Sequence, residues 1–423
     1  MNNESLTNWA GNLAYGSTAL LRPGSIPELQ EMVRSEKQVK VLGTRHSFSA
    51  IADSDGVHLS LDRLPAKTTI SPDRRSATIT GNLAYADLAR TLQHAGLALH
   101  NLASLPHISA AGAVQTATHG SGRRNGSLAV PVSALELVTG SGEIQRLSRA
   151  ADSERFNGAV VGLGALGVVT ALTLDLVPTF DLRQFVYLNL PPANIPRDID
   201  DLMGQAYSVS VFTDWVRPEK TQIWVKDRVS DGLFADPPRE ISGARAAERE
   251  MHPIAGLPAE ACTPQLGQPG PWHERLPHFR MDHQPSAGAE LQSEYFIPFD
   301  RAGPALEALL AIGERIVPLL WVSEIRAVAA DSHWMSPNYG RDSLAVHFTW
   351  KPDWDAVRGL LPRIEAALSP FGARPHWGKL FTMAPEDVRQ GYARLPDFVR
   401  LVNELDPEEK FLNGFLKRYL LEA

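Results

Sequence analysis

Residues 99 to 126 constrain this chain more than any other stretch: Leu-His-Asn-Leu-Ala-Ser-Leu-Pro-His-Ile-Ser-Ala-Ala-Gly-Ala-Val-Gln-Thr-Ala-Thr-His-Gly-Ser-Gly-Arg-Arg-Asn-Gly. The run is rich in small and hydroxyl residues, contains His100, His107 and His119, and carries no carboxylate. Small side chains let backbone N–H groups come close to a ligand, and Ser and Thr hydroxyls add donors. Successive amides here can therefore form a concave cradle for an anion such as phosphate. A long surface loop would have a similar composition. A second stretch argues for the cradle: Val41-Leu42-Gly43-Thr44-Arg45-His46-Ser47-Phe48-Ser49 continues a β-branched run from Val39 and ends in hydroxyls around one histidine.

The rest of the chain has ample material for a core. Its 423 residues suggest two or three domains, and a globule of this size buries roughly three quarters of its unfolded surface. Apolar residues make up 43% and charged ones 21%, which excludes general disorder. A net charge of −7 excludes a global basic field for nucleic acid or an anionic membrane, so small-molecule partners remain. The one cysteine, Cys262, excludes an intramolecular disulfide and a CxxC centre, and it fits a reducing compartment. No histidine cluster has metal-ligand spacing with enough acid or thiol partners, so no metal is expected. The first ten residues lack the basic and apolar regions of a secretory signal, and no apolar run reaches the length of a membrane span. The expectation is a soluble, cytoplasmic monomer.

Taken in order, Ser25 suits a helix N-cap ahead of Pro27 and Glu28, with Leu29, Met32 and Val33 on one face. Val39 to Leu42, His58 to Leu61 and Ala77 to Thr80 read as strands, and Tyr85 to His94 as a helix ending at Gly96. Ala134 to Val138 and Ile144 to Leu147 flank Thr139-Gly140-Ser141-Gly142 as a hairpin. Residues 208 to 216 and 221 to 228 read as two antiparallel strands. Residues 231 to 290 are crowded with Pro and Gly, which suggests a wrapping or lid-like loop. Helices are expected over 304 to 315 and 354 to 368.

Residues 162 to 167, Gly-Leu-Gly-Ala-Leu-Gly, match the GxGxxG pattern of nicotinamide-binding folds. That fingerprint needs a strand before it and a helix after it, because the pyrophosphate sits on the helix N-terminus. Here 153 to 160 reads as a helix and 168 to 176 as a β-branched strand, the reverse order. The glycines are expected instead to form a tight turn against a bound cofactor. A serine hydrolase is disfavoured too, since Gly120-Ser121-Gly122 lacks the GxSxG elbow.

Several later strands carry polar residues at spacing two, which places each pair on one strand face. Gln292 and Glu294 do so, as do Glu324 and Arg326, and His347 and Thr349; Lys379 closes Pro375-His376-Trp377-Gly378-Lys379. A half-solvated sheet meeting water would show such a stripe. The alternative is a site for a polyhydroxyl ligand, which needs a varied set of donors and acceptors such as this mixture of acid, base, imidazole and amide.

The Gly43 to Ser47 loop, the Ser104-Leu-Pro-His-Ile-Ser to Thr118-His-Gly-Ser-Gly segment and the Glu-Ile-Arg, His-Phe-Thr and His-Trp-Gly-Lys motifs together resemble the vanillyl-alcohol-oxidase, or PCMH-type, FAD flavoproteins. Within them they are most similar to the alditol (xylitol) oxidase and sugar-lactone oxidase branch. The resemblance runs from Asn8-Trp9-Ala10-Gly11-Asn12 to Asp406-Pro407 and Lys410-Phe411. It implies an α+β protein: a two-subdomain FAD-binding domain over 1–180, an inserted cap domain over 181–370 with a mainly antiparallel sheet flanked by helices, and a C-terminal return over 371–423.

The same resemblance implies FAD held covalently by His46 and lined by Val41, Leu42, Gly43, Thr44, Arg45, Ser47, Ser104, Ser109, Gly112, Ala113, Thr116, His119, Gly120, Gly167 and Val169. His107 and His119 would be structural donors of the cradle. Arg326 and Lys379 would bind the hydroxyl being oxidised, His347 or Glu324 would accept a proton or hold the cations in place, and Ser104, Gln292 and Thr349 would bind the other hydroxyls. Small Ala103 would bear on oxygen access. The implied activity is oxidation of an alditol with oxygen as acceptor; a sugar-1,4-lactone oxidase or dehydrogenase is the alternative, and a flavin-storage or sugar-binding module a rival from another class. Two departures stand out. Arg45 occupies a position where the branch commonly has a small residue, which argues against a positive φ there. Arg123 and Arg124 would either narrow the pocket or form a solvated surface pair.

Overall fold

A computed structural model of the chain describes residues 6–282 and 289–421. The first five residues, part of the signal-peptide reading, and 283–288, part of the expected wrapping loop, lie outside the described residues.

Two sheets build the first half. A parallel three-stranded sheet sets Val57–Leu59 between Ala19–Leu21 and Val39–Val41. Helix Ile26–Ser35 covers it: Ser25 Oγ accepts from Glu28 N at 3.3 Å, and Leu29 and Val33 are buried with Val39, Val57 and Leu59. An antiparallel sheet follows in the order Thr68–Ile70, Ser76–Thr80, Val168–Asp175, Val132–Val138, Ile144–Ser148, with the expected hairpin as its edge pair. Helix Tyr85–His94 stops where Gly96 takes a φ of +69°.

The second half is a ten-stranded sheet. Asp181–Leu188, Gln222–Arg228, Ser208–Thr213, Leu320–Val328, Ser343–Trp350 and Leu291–Pro298 succeed one another, each antiparallel to the next. One face is apolar: Val209, Val211, Ile325, Val346 and Phe348 pack against Ile199, Leu306, Leu309, Val357 and Leu361. These last come from helices Asn194–Gly204, Ala302–Leu310 and Trp354–Leu368. Each such side chain gains about 1.5–3 kcal/mol on leaving water, which fixes the face that meets the helices. In the longest of the three helices, the Asp353 carboxylate accepts from Ala356 N at 3.1 Å, and Val357, Leu361, Ile364 and Leu368 recur at helical spacing on the buried side.

The other face is polar and also buried. Glu294 is 1% exposed, Glu324 6%, Arg326 5% and His347 7%. A stripe open to water is therefore ruled out, because a cavity shared with the cradle covers this face. The wrapping loop has little regular structure, as expected: Glu240–Ile241 pairs with Ala244–Ala246, and Gly270–Pro271 adds to the start of Asp181–Leu188. The helix expected over 304 to 315 starts earlier, ends at Leu310 and resumes as Gly313–Ile316, where a Cβ at Gly313 would lie 3.1 Å from Trp215 Cβ.

Among the described residues, five helices fall outside the sequence expectations. Asn194–Gly204 is disguised by Pro191, Pro192 and Pro196, the last sitting in the first turn where no intrahelical N–H is needed. Ala110–Gln115, inside the cradle, is too poor in large residues to show an apolar stripe. Pro385–Gln390, Leu395–Leu405 and Gly414–Leu420 bring the chain back to its first half. There Lys410 Nζ donates to the carbonyls of Val33 and Arg34, and Lys40 Nζ donates to Phe411 O.

Candidate active site

A cavity of about 810 Å³ lies between the cradle loops and the polar face of the ten-stranded sheet. Three loops form its first wall. Residues Val41 to Phe48 leave strand Val39–Val41, residues Ala103 to His119 run through helix Ala110–Gln115, and residues Leu163 to Val169 lead into strand Val168–Asp175. Ser109 joins the first two, its N–H donating to Thr44 Oγ1 at 3.2 Å. A Cβ at Gly43 or Gly112 would stand 2.6 or 2.7 Å from Ser109 Oγ, so both glycines make room for the Ser109 side chain between the two loops. The third loop follows a helix and precedes a strand, the reverse of a nicotinamide fingerprint, and is tied to the cradle by Gly164 N donating to Gln115 Oε1 at 3.1 Å.

His46 faces this cavity with its ring stacked on Trp9, centroids 5.1 Å apart and planes at 21°. Burial pushes its imidazole down to about 4, against a backbone hydrogen bond to Thr44, so it is neutral near pH 7. Its buried Nδ1 has no hydrogen-bond partner among the described residues. Arg45 corrects an expectation: it adopts φ +62° without being glycine. The conformation is over-determined by Arg45 O accepting from Trp9 N at 2.9 Å and Arg45 Nη1 donating to Thr7 O at 3.2 Å.

Of the residues expected to line the cofactor, Gly120 does not reach the cavity. A Cβ there would meet Asn101 Oδ1 and Leu102 O at 2.4 Å, so its small size serves packing behind the cradle. His107 ties the cradle to the wrapping loop, with Nε2 2.8 Å from Met281 O. Arg123 stacks on the Phe299 ring at 3.5 Å and pairs with Asp200 at 3.2 Å. Neither it nor exposed Arg124 lines the cavity, which removes the pocket-narrowing reading.

The opposite wall depends on strand register. Glu294 and Glu324 both lie directly across from His347, on either side of Ser343–Trp350, and Gln292 lies across from Thr349 one row away. Lys379 arrives from the segment after Arg374–Pro375. It donates to Glu294 Oε2 at 2.6 Å and to His347 Nδ1 at 2.7 Å. Arg326 Nη2 donates to Glu294 Oε1 at 2.9 Å and its Nη1 to Ser104 Oγ at 3.3 Å, bridging the two walls. His119 Nε2 lies 3.2 Å from the same Glu294 oxygen. The stripe pattern marked Glu294 without marking it as the carboxylate that joins both cations; that follows from register, which the strand's own sequence does not carry. Glu324 meets Arg326 Nε at 3.5 Å and accepts from His278 Nε2 at 2.7 Å. His278 was missed because it stands in the Pro- and Gly-rich loop, where no periodicity points to a face.

These contacts set the charges. Burial alone would raise the Glu294 carboxyl, but Lys379, His119 and Arg326 outweigh it and hold the group well below the usual range. Burial likewise opposes the Glu324 charge, and Arg326 and His278 more than offset it. Burial lowers Lys379, with Glu294 opposing the shift. For Arg326, burial is overcome by Glu324 and Glu294, and its pKa rises. Burial, then Lys379, push His347 down to about 3, so it enters the network neutral. The result is two cations and two anions around one imidazole, Lys379 half-buried and the other three charges buried, with the cations at the cavity surface and Glu294 behind them.

The first wall suits a flavin: it offers small residues, hydroxyl donors and an imidazole whose buried Nδ1 lacks a partner among the described residues, and it carries little charge. Comparison with known proteins agrees. The FAD binding domain family matches residues 17–148, and the D-arabinono-1,4-lactone oxidase family matches 289–419. Fold and site thus define a two-part FAD-dependent oxidoreductase. An alditol oxidase from a Streptomyces species is 48% identical over 419 residues, covering 98% of this chain and 99% of that protein. An L-gulono-1,4-lactone dehydrogenase from Mycobacterium tuberculosis and an L-gulonolactone oxidase from Bos taurus are each 26% identical; the first covers 98% of both chains and the second 97%. The chain belongs to the alditol oxidase family, in the wider group of sugar-lactone oxidases. Among the described residues no helix is long and apolar enough to cross a membrane.

Proposed function

We propose that this protein oxidises the terminal primary alcohol of an open-chain polyol, such as xylitol or sorbitol, to an aldose. FAD bound in the cradle supplies the hydride acceptor and, through reoxidation by O2, hydrogen peroxide. Residues 1–180 and 371–423 would chiefly hold the cofactor and 181–370 the substrate, with Ser104 and Lys379 contributed to the substrate wall from the first and last of these segments. His46 is the residue for a covalent link, supported by its neutral imidazole, its stacked ring and its unpartnered Nδ1. A cytoplasmic monomer remains our reading; the single, buried cysteine fits the reducing compartment that this location implies.

The observation that carries the reading is the pairing of Arg326 and Lys379 through one buried carboxylate, on the wall that faces the cradle. An alcohol gives up hydride most readily as its alkoxide, and two fixed cations aimed at the oxygen stabilise the developing charge. Lys379 uses two of its three N–H donors on Glu294 and His347, leaving the third for the substrate oxygen. Because Lys379 donates to His347 Nδ1, the imidazole proton sits on Nε2, 3.1 Å from Thr349 Oγ1. Of the two acceptors considered from sequence, His347 is the one beside Lys379 and is uncharged at rest, as a base must be. Glu324 is committed to His278 and Arg326. Ser104, Gln292 and Thr349 would bind further hydroxyls, which separates a polyol from a simple alcohol.

Anaerobic mixing with excess xylitol tests this. Visible flavin absorbance should bleach, then return with peroxide when air is admitted. A yellow protein that stays yellow would end the polyol reading and make 1,4-lactones the next substrates, the reading favoured by the family match over 289–419. A colourless protein would count against a flavoenzyme of either kind.

A further inference from the structure

The wrapping loop delivers His252 and His278 to the cavity wall, and a buried lysine of the sheet meets the second of them there. Lys226 stands in strand Gln222–Arg228 and is 1% exposed. Its ammonium donates to Leu276 O, to Pro277 O at 3.0 Å and to His278 Nδ1 at 3.3 Å. The Glu324 carboxylate accepts only, so the imidazole proton is on Nε2 and Nδ1 is left to accept from Lys226. That proton is donated to Glu324 Oε1 at 2.7 Å, and the same oxygen lies 3.5 Å from Arg326 Nε. Edge-on packing against Phe212 and Trp224, with centroids 5.2 and 5.5 Å away, fixes the ring plane. The loop has another anchor here, Thr263 Oγ1 donating to Pro277 O at 2.8 Å. Lys226 thus shares the Pro277 anchor with Thr263 and adds two contacts of its own, with Leu276 O and with the imidazole.

We propose that Lys226 and His278 are positioning residues for alcohol oxidation, holding the Glu324 carboxylate against Arg326 Nε so that the guanidinium keeps its other edge for Ser104, Glu294 and the substrate oxygen. Glu324 lines the cavity. Released from His278, its carboxylate is free to turn toward the substrate, where a negative charge opposes the developing alkoxide and Arg326 loses its fixed direction. The proposal rests on the polyol-oxidase reading.

Two isosteric cuts separate this role from simple loop anchoring. In His278→Gln the amide reaches the place of Nε2 and keeps a donor for Glu324. In His278→Asn it stands in the place of Nδ1, keeps a partner for Lys226 and loses Glu324. Holoenzymes are mixed anaerobically with a series of xylitol concentrations, and the bleaching rate, the half-saturating concentration, flavin content and thermal midpoint are read. The expected result is a bleaching rate in H278N lower by about ten- to a hundredfold, the scale for a misdirected catalytic group. Half-saturation should change far less, and H278Q should recover most of the rate. An H278N rate equal to or above that of H278Q overturns the proposal and leaves the imidazole as a loop anchor. Should H278N fail to fold, Lys226→Met decides: a lowered rate at unchanged half-saturation supports the proposal, and an unchanged rate overturns it. Wild-type protein runs alongside; if xylitol does not bleach it, the polyol reading fails and takes this proposal with it, whereas a bleached wild type confines any failure to the positioning role.

Discussion

The two walls of the cavity are built on opposite plans. The cradle wall comes from three short loops, each contiguous in sequence, and works through backbone amides, hydroxyls and glycines pressed against Ser109. The facing wall gathers Glu294, Glu324, Arg326, His347 and Lys379 from four separate segments and works through buried charge. Shape recognition of a large cofactor tolerates local construction, because neighbouring residues already share a turn. Charge stabilisation at one oxygen does not, since cations set close together need a common counter-ion, and only cross-strand register supplies it. The contrast predicts that substitutions in the charged wall act through electrostatics and those in the cradle through fit.

Glu294→Gln should have the largest effect. It leaves Lys379 and Arg326 buried with half their compensation, and breaking a buried ion pair by removing one partner costs about 3–5 kcal/mol. Urea unfolding should show a loss of that order, with turnover falling alongside; a midpoint unchanged from wild type would refute the hub role. Lys379→Met follows, with turnover down about a hundredfold or more for the loss of one preorganised charge-stabilising donor, while flavin stays bound. Undiminished peroxide production would remove Lys379 from the mechanism.

Across the cavity, Gly120→Ala tests fit without charge. Its methyl would strike Leu102 O and Asn101 Oδ1, so stability should drop by about 1–3 kcal/mol from overpacking behind the cradle. Thermal melts and flavin content together check this, since Gly120 touches no part of the cavity. His46→Ala should leave a yellow protein whose flavin separates on denaturation; flavin fluorescence still travelling with the denatured chain in a gel would place the covalent link elsewhere.

Acid should affect the charged wall first. His347 and His278 are lowered to about 3 and about 4 by burial, Lys379 adding to the first shift and Lys226 to the second. As pH falls from 6.5, the unfolded chain takes up protons that these folded imidazoles refuse, so stability declines toward pH 4. Glu294 and Glu324, held below the ordinary carboxyl value of 4.5, extend the loss as their unfolded forms protonate. Thermal midpoints recorded between pH 7.5 and 4.5 should descend, and a flat profile would contradict neutral buried imidazoles. This is the gentlest test, since it perturbs without deleting a contact.

Much of this was legible before any coordinates. Cradle and flavin loop could be read because their signal, small residues and hydroxyls in unbroken runs, is local, and the reversed helix–turn–strand order at Gly162 to Gly167 was visible for the same reason. The polar stripe could be read as spacing two. Its burial could not, because a strand's pattern does not say whether water or another wall faces its polar side. Arg45 shows a smaller failure: residue type argued against a positive φ, and contacts from Thr7 and Trp9 overrode it.

By itself the sequence determined the change of composition between the two halves, the anion-type cradle and the residues able to carry charge, since each rests on composition or periodicity within a few tens of residues; the flavin came from the resemblance of its motifs to a known family. Only the tertiary structure decided which carboxylate binds both cations, which imidazole Lys379 occupies and how His278 and Lys226 enter the site. Those outcomes depend on strands Leu291–Pro298, Leu320–Val328 and Ser343–Trp350 meeting in one register and on where a loop without periodicity comes to rest. Coulomb interactions between buried groups change steeply over the few ångströms that register sets.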